Sequence, residues 1–90
     1  MAQLARSKKP SPLMQRVGTV IRRRRTQKRL LQSKVAQNSD TDRVFYGLLE
    51  RGQKNASVET LERIVRVLGV RLSRVIAEAK EEIGKVKEPD

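Results

Sequence analysis

Residues 32–52, QSKVAQNSDTDRVFYGLLERG, decide the fold of this 90-residue chain because they hold two short helical segments and a polar turn between them. The turn is Ser39–Asp42, whose short polar side chains hydrogen-bond to neighbouring backbone groups and therefore favour turns and helix caps. A helix from about Gln32 to Asn38 is predicted to end there. A second helix is predicted from Arg43 to about Arg51, because an aspartate precedes it as a cap and Gly52 can end it in the left-handed conformation.

Three further helices are predicted on either side of this stretch. The first runs from Pro12 to about Lys28, because Ser11 is a good N-cap and proline at the first helical position loses no hydrogen bond. Another starts after Ser57 and stops at Gly69, and a last one follows at once. Apolar residues recur at helical spacing and no alternating strand pattern occurs, so we expect an all-α, compact five-helix fold. The predicted boundaries are a flexible basic arm at residues 1–12, a helical domain at residues 13–83 and a fraying tail at residues 84–90.

The charge is distributed unevenly along the chain. Lys and Arg number 21 against 10 Asp and Glu, which gives a net charge of +11, and no acidic residue precedes Asp40. Such a balance favours a polyanionic partner. Because Cys and His are absent, thiolate nucleophiles, Cys/His metal sites and histidine bases are excluded, so we expect no enzyme activity, no cofactor and no metal. No apolar run approaches the roughly 20 residues that span a bilayer, so a cytoplasmic protein without a membrane partner is expected.

The two short helices around the turn have the layout of a helix-turn-helix, in which the second helix enters the major groove of DNA. One side of that helix suits a groove wall, because arginine reads guanine while small and aliphatic groups contact thymine methyls. We interpret this side as base-reading; it consists of Arg43, Val44, Gly47 and Leu48. In the alternative interpretation the two aliphatic residues belong to the core, the glycine lets another helix approach, and the arginine is a solvated charge. The opposite side is predicted to pack inward and consists of Phe45, Tyr46, Leu49 and Glu50.

From Val17 to about Ile76 the sequence resembles the Cro and lambda-repressor type of helix-turn-helix domain, the XRE family. The matching residues are Gly18, Ile21, Arg22, Arg25, Gln32, Val35, Ala36, Glu50, Arg51, Gly52, Leu61, Ile64, Leu68, Gly69 and Val70. Within this family, the sequence is similar to the small controller proteins of restriction-modification operons through Asp42, Arg43, Phe45, Glu50, Arg51, Gly52 and Asn55. The resemblance implies a lambda-repressor-like DNA-binding domain.

The resemblance also implies a structural ion pair between Arg25 and Glu50. Helical periodicity independently brings Arg24 and Arg25 onto the core-facing side of the first helix, where a charge needs a partner. In the family, the residue that matches Gln32 contacts a phosphate and braces the recognition helix. Gln32 is alternatively an ordinary solvated glutamine at a helix start.

Four positions depart from the family pattern. Arg29 stands where the family usually has glycine, and Leu31 where it has a serine or threonine cap, so the junction between the first two helices is expected to be distorted or longer. Asp40 replaces the usual turn glycine, but aspartate tolerates the left-handed conformation at modest cost. Tyr46 replaces an aliphatic residue, and if it packs inward its hydroxyl needs a hydrogen-bond partner or must reach the edge of the core.

Phosphate contacts are predicted around the second motif helix and in the arm. Lys54 and Asn55 precede the Ser57 cap, so their side chains and the backbone N–H groups of the following helix can hold a phosphate together. Solvated side chains are the alternative. The predicted phosphate-binding residues are Gln32, Arg51, Lys54, Asn55, Arg6, Lys8 and Lys9.

The apolar stripe of the last helix is longer than one small domain needs, which indicates a dimer interface. The predicted interface residues are Leu72, Val75, Ile76, Ala79 and Ile83. Packing of the first half of this stripe onto the chain's own helices is the alternative.

These observations favour a sequence-specific, double-stranded DNA-binding transcription regulator, with repression as the expected outcome. A homodimer would bind an approximate inverted repeat. Two alternatives stay open. One is an antitoxin with the same fold whose main partner is a toxin protein, and the other is a sequence-nonspecific nucleoid or RNA-binding protein driven by charge.

Overall fold

The structure, a computed structural model, describes residues 9–87, with side chains through Gly84. Over these residues it contains five helices and no strand. The helices are α1 (Pro12–Gln27), α2 (Gln32–Asn38), α3 (Arg43–Glu50), α4 (Val58–Leu68) and α5 (Leu72–Lys87). The predicted all-α, five-helix fold is therefore confirmed. None of these helices is long and apolar enough to cross a membrane.

Three predicted N-caps form as the sequence indicates. The side-chain oxygen of Ser11 accepts a hydrogen bond from the backbone N–H of Met14 at 3.1 Å, and that of Asp42 accepts one from Phe45 at 2.9 Å. Ser57 likewise accepts one from the backbone of Thr60. Each cap satisfies a backbone donor that the first helical turn leaves without a partner, so the starts of α1, α3 and α4 are fixed locally.

The core lies where α1 is covered by the other helices. Its buried apolar residues are Val17, Val20, Ile21, Val35, Ala36, Tyr46, Leu49, Leu61, Ile64, Val65, Leu68, Leu72, Val75 and Ala79. Gly18 allows α1 to touch the end of α3, because a Cβ at this position would lie 2.0 Å from the carbonyl oxygen of Leu49. Since backbone cannot move aside as a side chain can, this contact requires glycine and places the end of α3 directly against α1.

The junction between α1 and α2 keeps a tight geometry despite its unusual residues. Arg29 adopts the left-handed conformation with φ of 59°, as glycine would, and its backbone N–H donates to Thr26 O at 2.9 Å. Leu31 occupies the N-cap position of α2 without a side-chain cap bond. Arg29 therefore takes a conformation that favours glycine, and α2 starts without a capping side chain. The turn residue Asp40 is also left-handed, with φ of 57°.

The end of α5 differs from the prediction. The helix continues through Gly84 to Lys87, into the segment for which the sequence predicts a fraying tail. The remaining predicted tail residues, 88–90, and residues 1–8 of the predicted arm lie outside the described part of the chain.

Candidate nucleic-acid interface

Helix α3 has one buried face and one exposed face. Tyr46 and Leu49 are fully buried, and Glu50 retains only 3% of its surface. On the other face Arg43 is exposed, Val44 is 66% exposed and Leu48 is half-buried. The exposure of Val44 excludes its assignment to the core. Arg43 and Val44 lie in the first turn of the helix, where base-reading side chains of helix-turn-helix proteins are found.

Gly47 is an exception to this division. Although the helical wheel places it with the outward residues, Gly47 is buried. The side chain of Gln32 lies across it, since a Cβ at Gly47 would be 3.5 Å from Gln32 Oε1. The prediction that Gly47 offers its surface to a base is therefore wrong, because an amide from α2 covers that part of α3.

Glu50 holds three parts of the motif together. Its carboxylate accepts two hydrogen bonds from the Arg25 guanidinium, at 2.7 Å from Nε and 3.0 Å from Nη2. It also accepts one from Gln32 Nε2 at 2.9 Å. Arg25 Nη1 donates in turn to the carbonyl oxygen of Leu30 at 2.8 Å. The implied ion pair is thus present, and it ties α1, the start of α2 and the end of α3 to one buried carboxylate.

The ionisation of this pair follows from its surroundings. Burial alone would raise the pKa of Glu50, but the hydrogen bonds from Arg25 and Gln32 and the Arg25 charge outweigh it, so the pKa lies below its ordinary value. The hydrogen bond to Glu50 raises the pKa of Arg25. Both groups are charged at neutral pH, and the Glu50 side chain is only 1% exposed.

Tyr46 packs inward beside this pair. Burial raises the pKa of its hydroxyl, and the nearby Glu50 carboxylate raises it further. Among the described residues, however, the hydroxyl has no partner at hydrogen-bonding geometry. The buried ring contributes to the core, and the hydroxyl lies near the Glu50 carboxylate.

The predicted phosphate-binding residues occupy different surroundings. Arg51, Lys54 and Asn55 are exposed and lie between the end of α3 and the Ser57 cap of α4. Lys54 and Asn55 lie just before the start of α4, where backbone N–H groups favour anions. The Gln32 amide is partly committed to Glu50, so Gln32 braces α3 through a direct hydrogen bond. In the arm, Lys9 is exposed, whereas Arg6 and Lys8 lie outside the described residues.

Three of the four arginines in the run of α1 pair with carboxylates, at two sites. Arg25 points to Glu50, whereas Arg23 and Arg24 pair with Glu78 and Glu82 of α5. Sequence reasoning missed these acidic partners, because they lie more than 50 residues away in the chain, and only the packing of α5 on α1 brings them close. The only indication of this pairing in the sequence is that helical spacing places Glu78 and Glu82 on one face of α5.

Helix α5 does not offer the predicted interface as a whole. Leu72, Val75 and Ala79 are buried in the chain's own core, at 8%, 0% and 0% exposure. The prediction that these three residues contact a second subunit is therefore wrong, because α5 packs its first half against its own domain. Ile76 and Ile83 are half-buried and keep part of their surface accessible.

Two short helices, α2 and α3, joined by a left-handed turn have the layout of a helix-turn-helix, and α3 has an exposed arginine at its start. Comparisons with known proteins agree. Residues 21–75 match the family model described as helix-turn-helix. Control protein C.MunI of Mycoplasma sp is 34% identical over 68 residues, which are 74% of this chain and 92% of that protein.

Two solved structures extend the comparison. The clp gene regulator ClgR from Corynebacterium glutamicum has a TM-score of 0.78 and 28% identity, covering 84% of this chain and 80% of that one. A point mutant of the restriction-modification controller protein C.Esp1396I, bound to its highest affinity operator site OM, has a TM-score of 0.73 and 32% identity, covering 81% and 96%. The chain belongs to the XRE-type helix-turn-helix family and is a DNA-binding regulator of transcription.

Proposed function

We propose that the chain binds double-stranded DNA as a homodimer, with α3 of each subunit in a major groove of an approximate inverted repeat. The observation that carries the proposal is that Arg43 and Val44 are exposed in the first turn of α3, while the opposite face of this helix is buried in the core. The similar protein C.Esp1396I, as a point mutant, has been solved bound to an operator site, which supports DNA as the partner. In a dimer, the two half-site centres are about one helical turn, roughly 34 Å, apart.

The roles of the exposed residues follow from their chemistry. Arg43 can donate two hydrogen bonds to guanine, and Val44, with the accessible part of Leu48, can contact thymine methyl groups. Arg51, Lys54 and Asn55 contact phosphates and set the position of the domain on the duplex without reading its sequence. The buried Arg25–Glu50 pair holds the inner face of α3, so the helix approaches the groove in one orientation.

Arg43→Ala tests the base-reading role. Duplexes selected from a random pool by the wild-type protein provide the specific site, and a random duplex provides the reference. We expect specific binding to weaken by about 1 to 3 kcal/mol and random binding to change little, because only a base contact is lost. Lys80→Ala, which removes an exposed charge from α5, is the control. Equal losses on both duplexes would assign Arg43 to the phosphate backbone instead.

Lys54→Ala tests the phosphate role with a different signature. Binding to both duplexes should weaken, and the slope of log K against log salt should become shallower by about one unit, because one counterion fewer is released. An unchanged slope would show that Lys54 makes no phosphate contact.

The dimer is supported by the apolar surface that α5 leaves partly accessible at Ile76 and Ile83. Sedimentation of the free protein at tens of micromolar checks it, with Ile83→Asp as a variant that should shift the equilibrium towards monomer. A wild-type chain that stays monomeric both free and on its selected duplex would contradict the homodimer.

The high net charge favours one other function, which is sequence-nonspecific binding of nucleic acid. Competition between the selected duplex and random DNA separates the two. We expect a preference of several orders of magnitude for the selected duplex, as in specific DNA-binding proteins, whereas a ratio near one would support the nonspecific function.

A further inference from the structure

Five charged side chains connect α1 to the middle of α5. They form what we call the α1–α5 ionic cluster: Arg16, Arg23, Arg24, Glu78 and Glu82. Glu82 contacts Arg23 directly and lies 4.0 Å from Arg16, while Glu78 contacts Arg24 directly and lies 3.7 Å from Arg23. Two carboxylates therefore pair with three guanidinium groups, so the cluster keeps a net positive charge.

The cluster is accessible to solvent and close to the end of the recognition helix. The side chains of Arg16 and Arg23 are both 40% exposed, and that of Arg24 is 31% exposed. Arg16 also lines an open cleft of about 500 Å³ together with Arg51 and Gly52, which follow α3. A DNA phosphate can therefore reach the guanidinium groups that the two glutamates now hold.

Phosphate oxygens and carboxylate oxygens bind a guanidinium in the same way, as paired acceptors of its N–H groups. An arginine that already pairs with a glutamate releases fewer counterions from DNA and contributes less to binding, because one interaction must break before the other forms. Glu78 and Glu82 thus compete with DNA phosphates for the same guanidinium N–H groups.

We propose that Glu78 and Glu82 are specificity-determining residues, which hold Arg16, Arg23 and Arg24 and so weaken binding to DNA of arbitrary sequence. A nonspecific complex forms through any basic surface in any orientation, whereas the specific complex uses the one orientation with α3 in the groove. Restraining the α1 arginines therefore lowers nonspecific affinity more than specific affinity. The inference rests on the proposed function, because a specificity ratio has meaning only for a sequence-specific protein.

The test is a pair of double variants with equal charge change. Glu78→Gln/Glu82→Gln removes both acidic groups of the cluster, and Glu62→Gln/Glu81→Gln removes two exposed carboxylates that form no ion pair with the side chains of residues 9–84. Fluorescence anisotropy with a random duplex measures nonspecific binding. We expect the first variant to bind random DNA about tenfold more tightly than the second, with a salt slope steeper by about one unit for each arginine that gains a phosphate.

A double-mutant cycle that combines the arginine and glutamate substitutions separates the release of the arginines from a change in folding. Arg23→Gln/Arg24→Gln should lower random-DNA affinity clearly in the Glu78→Gln/Glu82→Gln background but little in the wild type, where the glutamates already hold these arginines. Arg71→Gln/Arg74→Gln, which alters two exposed arginines, is the matched control and should have the same effect in both backgrounds. Circular dichroism establishes that each variant is folded.

Two outcomes would overturn the proposal: random-DNA affinity no higher in Glu78→Gln/Glu82→Gln than in its control, or an arginine effect that is equal in both backgrounds. Failure of the proposed function looks different. If the wild type binds its selected duplex no better than random DNA, base reading by α3 is refuted, while the arginine cycle on random DNA still shows whether the glutamates restrain α1.

Discussion

Arg25 and its neighbours Arg23 and Arg24 all pair with carboxylates from other helices, but the two sites differ in exposure. At the first site, the side chains of Arg25 and Glu50 are 13% and 1% exposed, and two hydrogen bonds join them. In the α1–α5 ionic cluster every side chain is between 24% and 40% exposed. The same chemistry therefore fixes the recognition helix at one place and balances surface charge at the other, because desolvation and screening decide what an ion pair contributes.

The largest expected effect is the loss of the buried partner. Glu50→Gln should lower the free energy of unfolding by about 3 to 5 kcal/mol, because it leaves the Arg25 charge without its counter-ion in a nearly closed site. Urea denaturation followed by circular dichroism measures this, with Glu81→Gln as an exposed control that should change little. The double variant Arg25→Met/Glu50→Leu should recover most of the loss, since it removes both charges. A loss below about 1 kcal/mol in Glu50→Gln would show that the buried pair contributes no more to stability than an exposed ion pair does.

Acid should reveal the same difference. Because the pKa of Glu50 is lower in the folded chain than its ordinary value of 4.5, the unfolded chain binds a proton first as the pH falls. The contribution of Glu50 is therefore complete above about pH 4.5 and decreases as the pH falls towards the folded pKa. We expect the difference in unfolding free energy between wild type and Glu50→Gln to shrink over this range. A difference that stays constant from pH 6 to pH 3 would contradict the lowered pKa.

A smaller loss is expected at the bracing amide. Gln32→Ala removes one of three hydrogen bonds to the Glu50 carboxylate, which should cost about 1.5 kcal/mol because the bond is to a charged group. The same variant exposes Gly47, because the Gln32 side chain no longer covers it. Its DNA affinity therefore shows whether this cover affects binding through the exposed face of α3. Stability equal to that of wild type would show that Arg25 alone satisfies the carboxylate.

The two sites also show what could be predicted from the sequence. The Arg25–Glu50 pair was predictable because helical periodicity places an arginine on the core face, and a resemblance to known domains supplies its partner. The N-caps at Ser11, Asp42 and Ser57 were predictable because a cap depends on residues three positions apart. These features depend on local spacing or on a shared pattern.

The remaining features depend on how distant helices pack. The cover over Gly47 arises from a side chain of α2, which a helical wheel of α3 does not include. The partners of Arg23 and Arg24 depend on the position of α5 along α1, and a long apolar stripe does not show that Val75 and Ala79 are used internally. Such contacts are set by the whole fold, so the base-reading and dimer-interface predictions were wrong at these positions.

The smallest expected effect belongs to the exposed site, and salt is the variable that distinguishes it. Glu82→Gln should cost about 0.2 to 1 kcal/mol at low ionic strength, because an exposed ion pair gains little over hydration and loses side-chain freedom. At 1 M salt the Debye length falls to about 3 Å, so this loss should vanish, whereas most of the loss in Glu50→Gln should persist in its closed site. Denaturation of both variants at 0.05 M and 1 M sodium chloride makes the comparison. If Glu82→Gln lost more than about 2 kcal/mol regardless of salt, the α1–α5 ionic cluster would be part of the folded core, and its arginines would not be available to phosphates.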